Sequence, residues 1–69
     1  MDITKRAGQQ IQDARKQKGL TQRELGEKLG ISESAVNRYE GGNQNFTLLT
    51  LQRIATTLQV SFDLNVTPQ

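Results

Sequence analysis

The chain has no cysteine, no histidine and no tryptophan, one proline, and only three aromatic residues among 69. Without thiols there are no disulfides and no thiolate metal ligands, and without imidazoles there are no histidine ligands or bases. Ser–His and Cys–His nucleophile pairs are therefore excluded. The remaining acid–base candidates are carboxylates scattered along helical surfaces, so an enzyme is a poor reading; no metal, cofactor or small-molecule substrate is expected. No apolar run approaches the ~20 residues that span a bilayer, and Met1-Asp2-Ile3-Thr4 is not an apolar signal segment. These absences lead to the expectation of a soluble cytoplasmic protein.

The length allows one domain. A chain this small buries only about 60% of its unfolded surface. With no covalent or metal staple, helix packing or oligomerisation must stabilise it. Nine basic and seven acidic residues give a formal charge of +2, and all of that excess lies in residues 1–40. Residues 41–69 contribute only Arg53 and Asp63, which cancel.

The first forty-odd residues carry helical periodicity. Ile3, Ala7, Ile11 and Ala14 recur on one face of a helix expected over residues 3–17, with Gly19 as its stop and Lys16 and Lys18 at its negative end. Thr21-Gln22-Arg23-Glu24 reads as a capping box opening a second helix, which ends at Leu29 before Gly30. Two turns are too short to hold their shape alone, so neighbours must prop them. Gly26 costs roughly 1 kcal/mol relative to Ala and makes sense if another helix crosses closely. Ser32 caps a third helix, Glu33 to Glu40, with Ala35, Val36 and Tyr39 on one face and Glu33, Ser34, Asn37 and Arg38 on the other. Gly41-Gly42 ends it, Asn43-Gln44-Asn45 is a polar loop, and Thr47 caps a fourth helix whose expected apolar stripe is Leu48, Leu51, Ile54, Ala55 and Leu58.

After Val60 the period changes to two. Ser61-Phe62-Asp63-Leu64-Asn65-Val66-Thr67 alternates strictly, as a strand does. A lone strand leaves its backbone groups unpaired. Either the segment is a frayed tail with chance alternation, or it pairs with its copy in a second subunit and lays Phe62, Leu64 and Val66 over the helices. The second reading is preferred.

The stretch Gln22 to Tyr39, a short helix, a glycine turn and another short helix, is a helix-turn-helix pattern. Thr21-Gln22-Arg23-Glu24-Leu25-Gly26-Glu27-Lys28-Leu29-Gly30-Ile31-Ser32 followed by Glu33-Ser34-Ala35-Val36-Asn37-Arg38-Tyr39-Glu40 resembles the phage-repressor (XRE/Cro-like) helix-turn-helix family. The likeness continues through Phe46-Thr47-Leu48-Leu49-Thr50-Leu51 and Ile54 to Val60. The alternating segment 61–67, where that family has a fifth helix, is similar to HipB-like antitoxins, whose strand pairs across the dimer and whose partner is a kinase toxin.

The resemblance implies an all-α, compact four-helix repressor-like DNA-binding domain over residues 1–60 and a dimerisation element over 61–69. It implies a homodimeric, nucleoid-associated transcriptional repressor that binds a palindromic operator in double-stranded DNA, with the helix over 33–40 in the major groove. Glu33, Ser34, Asn37 and Arg38 match the base-reading face: Arg38 suits guanine, Asn37 suits adenine, and Ser34 suits base or backbone. Glu33 has two readings of equal standing. It accepts from cytosine N4 or repels wrong sequences, or it simply favours the helix N-terminus. Gln22 resembles the family's phosphate clamp at a helix start. Arg23, Asn43, Gln44, Asn45 and Thr47 are further candidates for phosphate contact, although a plain turn explains Asn43 and Asn45 equally well. Arg15 and Glu40 occupy positions that resemble an internal ion pair. An antitoxin that also neutralises a kinase toxin, or a restriction-system controller protein, is the alternative.

Overall fold

The computed structural model describes residues 3–62. Its elements are α1 (Ile3–Gln17), α2 (Gln22–Leu29), α3 (Glu33–Glu40) and α4 (Leu48–Leu58), in an all-helical arrangement. The boundaries follow the capping chemistry. The Thr21 hydroxyl accepts from the Glu24 amide at 3.0 Å while the Glu24 carboxylate accepts from the Thr21 amide at 2.9 Å, a complete capping box. The Ser32 hydroxyl accepts from the Ala35 amide at 3.0 Å, and the Thr47 hydroxyl accepts from the Thr50 amide at 3.0 Å. Each cap satisfies an amide that the first helical turn leaves without a partner.

Ala7, Ile11 and Ala14 of α1, Leu25 and Leu29 of α2, Val36 of α3, and Leu51, Ile54 and Leu58 of α4 form one core. Each of the larger side chains contributes about 1.5–3 kcal/mol through burial. Leu20, Ile31, Tyr39, Phe46, Val60 and Phe62 close over its rim. The Tyr39 and Phe46 rings stack with centroids 4.9 Å apart, tying the end of α3 to the loop that enters α4.

Three members of the expected apolar stripes lie outside the core, Ala55 half-buried and two others exposed. Ile3 is 44% exposed, and Leu48 is 81% exposed beside Leu49 at 77%. Ile3 and Leu48 are the first residues of α1 and α4, and both border an open cavity that Ala7, Phe46 and Leu51 also line. Leu64 and Val66 of the expected strand lie outside the described residues. Ser61 and Phe62 have no regular secondary structure, and Phe62 packs half-buried against the core.

Two glycines fix how closely the helices approach. A Cβ on Gly26 would stand 2.7 Å from the Ile31 carbonyl oxygen. What crowds Gly26 is thus the backbone of the α2–α3 turn and not a crossing helix. A Cβ on Gly8 would run into the carbonyl oxygens of Tyr39 and Glu40. Gly8 therefore lets α1 lie directly against the last turn of α3, and this approach brings Arg15 and Glu40 within bonding distance.

Candidate nucleic-acid interface

The α2–turn–α3 unit is held at both ends of its turn. Gly30 adopts φ +74°, a conformation that costs glycine little, and the Ile31 amide donates to the Gly26 carbonyl at 2.9 Å. Ser32 then starts α3 at once. With Val36 buried in the core and Glu40 buried beneath, the opposite side of α3 faces outward: Glu33, Ser34, Asn37 and Arg38 are all exposed.

Those four residues and Gln22 line one open groove of about 380 Å³. Helical spacing alone places the four α3 residues together, whereas only tertiary packing adds Gln22 from α2. Arg38 Nε donates to Gln44 Oε1 at 2.9 Å, so the α3–α4 loop joins the same face. Asn37 Nδ2 donates to Gln22 Oε1 at 3.4 Å, and Gln22 Nε2 donates to Glu40 Oε1 at 3.1 Å.

Beneath the groove lies the buried ion pair. Arg15 Nε meets Glu40 Oε2 at 2.6 Å and Nη2 meets Oε1 at 3.1 Å, while Nη1 donates to the Leu20 carbonyl at 2.8 Å. The two side chains are 10% and 2% exposed. A bidentate pair with a further donor bonded to a carbonyl is the geometry in which buried charges are tolerated.

The other candidates are dispersed. Arg23 points along the exposed side of α2, 3.4 Å from Glu27. Thr47 uses its hydroxyl to cap α4 and to bond Thr50 Oγ1 at 2.8 Å. Asn43 is exposed after the end of α3, and Asn45 lines a separate apolar cavity with Ile3, Phe46, Leu48 and Leu51. A second polar groove of about 420 Å³ adjoins the first and brings Lys5, Gln9 and Gln12 of α1 up to Gln22, Asn37 and Glu40. Their proximity has no signal in the sequence. The approach of α1 does have one, because a glycine at position 8 inside a helix asks for a reason.

Electrostatically the face is mixed. Arg38 supplies positive charge toward the end of α3, and Glu33 sits in its first turn, where the helix dipole favours a carboxylate. At the head of α2 the Glu24 carboxyl titrates below its ordinary range, chiefly because the Thr21 backbone amide and then its hydroxyl bond the charged form, with Lys28 adding a smaller effect.

A capped short helix, a left-handed glycine turn and a second short helix with an outward polar face define a helix-turn-helix protein. The chain matches the helix-turn-helix family over residues 11–65 and belongs to it. It is 38% identical over 68 residues to y4dJ, an uncharacterized HTH-type transcriptional regulator of Sinorhizobium fredii, covering 99% of this chain and 88% of that one. It is 38% identical over 50 residues to antitoxin HipB of Escherichia coli, covering 72% of this chain but only 57% of HipB. Among solved structures it resembles the restriction-modification controller protein C.AhdI of Aeromonas hydrophila, with a TM-score of 0.76 at 33% identity over 87% of this chain and 86% of that one.

Proposed function

We propose that the chain is a homodimeric transcriptional repressor that inserts α3 into the major groove of a palindromic operator. The observation that carries this reading is the outward face of α3, where Glu33, Ser34, Asn37 and Arg38 line one open groove while Val36 and Glu40 anchor the opposite side. Arg38 pairs with guanine through its terminal nitrogens, since Nε is taken by Gln44, and Asn37 pairs with adenine. Gln22 and the loop residues Asn43 and Gln44 meet phosphates of the same half-site. Two such subunits place their recognition helices about one turn of DNA apart and occupy a promoter together. The exposed Leu48 and Leu49 offer apolar surface for the second copy within the described residues.

Selection of bound DNA from a random pool tests the reading. The expected result is a symmetric motif whose two halves lie one helical turn apart, with affinity that falls steeply with salt. Recovery of no motif, or of an asymmetric one, would overturn it. Arg38→Ala is expected to cost about 1–3 kcal/mol of specific binding and to relax one base position. Removing residues 62–69 is expected to weaken the dimer, which sedimentation of the shortened chain would show.

The likeness to HipB favours a second role, as an antitoxin that binds a toxin through surfaces away from α3 while repressing its own genes. Co-expression with the product of the adjacent gene and co-purification separates this from a regulator acting alone. A controller protein of a restriction system is a variant of the first role that the likeness to C.AhdI supports.

A further inference from the structure

We propose that Gln22, itself fixed by the buried Arg15–Glu40 pair, is the residue that sets which way the Asn37 amide faces DNA, and so makes Asn37 a reader of adenine. The inference rests on the reading of α3 as the recognition helix. Its basis is a continuous run of hydrogen bonds from the Leu20 carbonyl through Arg15, Glu40 and Gln22 to Asn37.

The direction of every amide in that run follows from one end. Glu40 is a carboxylate held bidentately by the Arg15 guanidinium, so its oxygens only accept. The Gln22 atom that faces Glu40 Oε1 at 3.1 Å must then be the nitrogen. This turns the Gln22 oxygen toward Asn37, and the atom it meets at 3.4 Å must in turn be the Asn37 nitrogen. Turning Gln22 over would set its oxygen against Glu40 Oε1, a clash that a carboxylate whose side chain is 2% exposed cannot relieve by moving, and turning Asn37 over alone would set its oxygen against Gln22 Oε1.

The consequence lies at the outer end. A primary amide has two N–H donors and one carbonyl. With one N–H directed inward to Gln22, Asn37 presents one donor and one acceptor side by side. That is the complement of the adenine major-groove edge, an N7 acceptor beside an N6 donor. An Asn37 free to turn over would offer the donor and acceptor in either order and lose part of its discrimination. Glu40 is thus a positioning residue that touches no DNA, and Gln22 transmits its polarity in addition to any phosphate contact of its own.

Two measurements on the full chain test this. Gln22→Met keeps the side-chain length, removes both amide bonds and leaves the Arg15–Glu40 bonds in place, so the fold is kept. Binding selection from a random pool is run for the wild type, Asn37→Ala and Gln22→Met. Asn37→Ala is expected to flatten one adenine position, and Gln22→Met to lower adenine preference at that same position by about tenfold, the scale of one bidentate contact. Any loss of phosphate contact in Gln22→Met weakens all sequences alike and leaves the ratio untouched. An undiminished adenine preference in Gln22→Met overturns the proposal, as does an Asn37→Ala profile with no flattened position.

The second measurement needs no DNA. The side-chain amide resonances of Asn37 are expected to shift toward those of the exposed Asn45 amide in Gln22→Met, and to shift again in Glu40→Gln, whose side chain no longer dictates the Gln22 orientation. Unmoved Asn37 resonances overturn the orienting role directly. A wild-type pool without any enriched motif would instead end the repressor reading, and the adenine preference with it, while the resonances report independently on whether Gln22 orients Asn37.

Discussion

Among the described residues, the pairs Arg23–Glu27 and Arg15–Glu40 lie in very different surroundings. Arg23 and Glu27, a turn apart on α2, sit 3.4 Å from each other with side chains 78% and 68% exposed. Arg15 and Glu40 come from different helices, sit 2.6 Å apart, and are 10% and 2% exposed. Water screens the first pair and can replace either partner, so it orders little. The second has no such substitute. Each partner must satisfy the other, and the pair fixes α1 against the end of α3 and holds Gln22 beneath the recognition face. The same chemistry is decoration in one place and framework in the other, and burial makes the difference.

The strongest way to break the comparison is Glu40→Ala. It leaves the Arg15 guanidinium buried without its partner and is expected to cost about 3–5 kcal/mol in denaturant unfolding. Replacing both partners with apolar residues, Arg15→Met with Glu40→Leu, is expected to cost much less than that single change, because no charge is left unpaired. A double variant as unstable as Glu40→Ala would show that the cost comes from packing and not from charge. Next in size is Gly8→Ala. The added methyl meets the carbonyl oxygens of Tyr39 and Glu40, and separating α1 from α3 is expected to cost at least about 1–3 kcal/mol, read as a lowered Tm.

The capping box at the head of α2 is exposed yet ordered, and so falls between the two pairs. Thr21→Ala is expected to cost about 1 kcal/mol. Its partner Glu24 adds a pH dependence of known sign. The native carboxyl titrates below its ordinary value, so its contribution is complete above the unfolded value and fades as pH falls through the native one. Glu24→Gln should remove that part of the acid slope of Tm, and an unchanged slope would contradict the assignment. Smallest is Arg23→Ala, expected to change stability by less than about 1 kcal/mol and to vanish in high salt.

Most of the helical framework was legible in the chain because its signals are local. Thr21, Ser32 and Thr47 announce helix starts, Gly30 announces a left-handed turn, and the spacing of Ala7, Ile11 and Ala14 marks a buried face. The polar group Glu33, Ser34, Asn37 and Arg38 was legible for the same reason, since residues three and four apart on a helix share a side. Periodicity misled at Ile3 and Leu48, because spacing assigns a residue to a side of its helix and does not say whether anything covers that side. It also could not say that Gly26 yields to a turn backbone, or that Gly8 admits two carbonyls.

The sequence by itself determined which residues cap, which face inward along each helix, and which polar side chains share a surface, since these depend on neighbours within a few positions. Only the tertiary structure decided that Gln22 stands between Glu40 and Asn37, that Gln44 holds Arg38, and that Leu48 and Leu49 are left uncovered. The hydrogen bonds among them join residues 18, 15 and 6 positions apart, through helices whose crossing is set by volume and close approach, and no local pattern encodes the crossing of one helix by another.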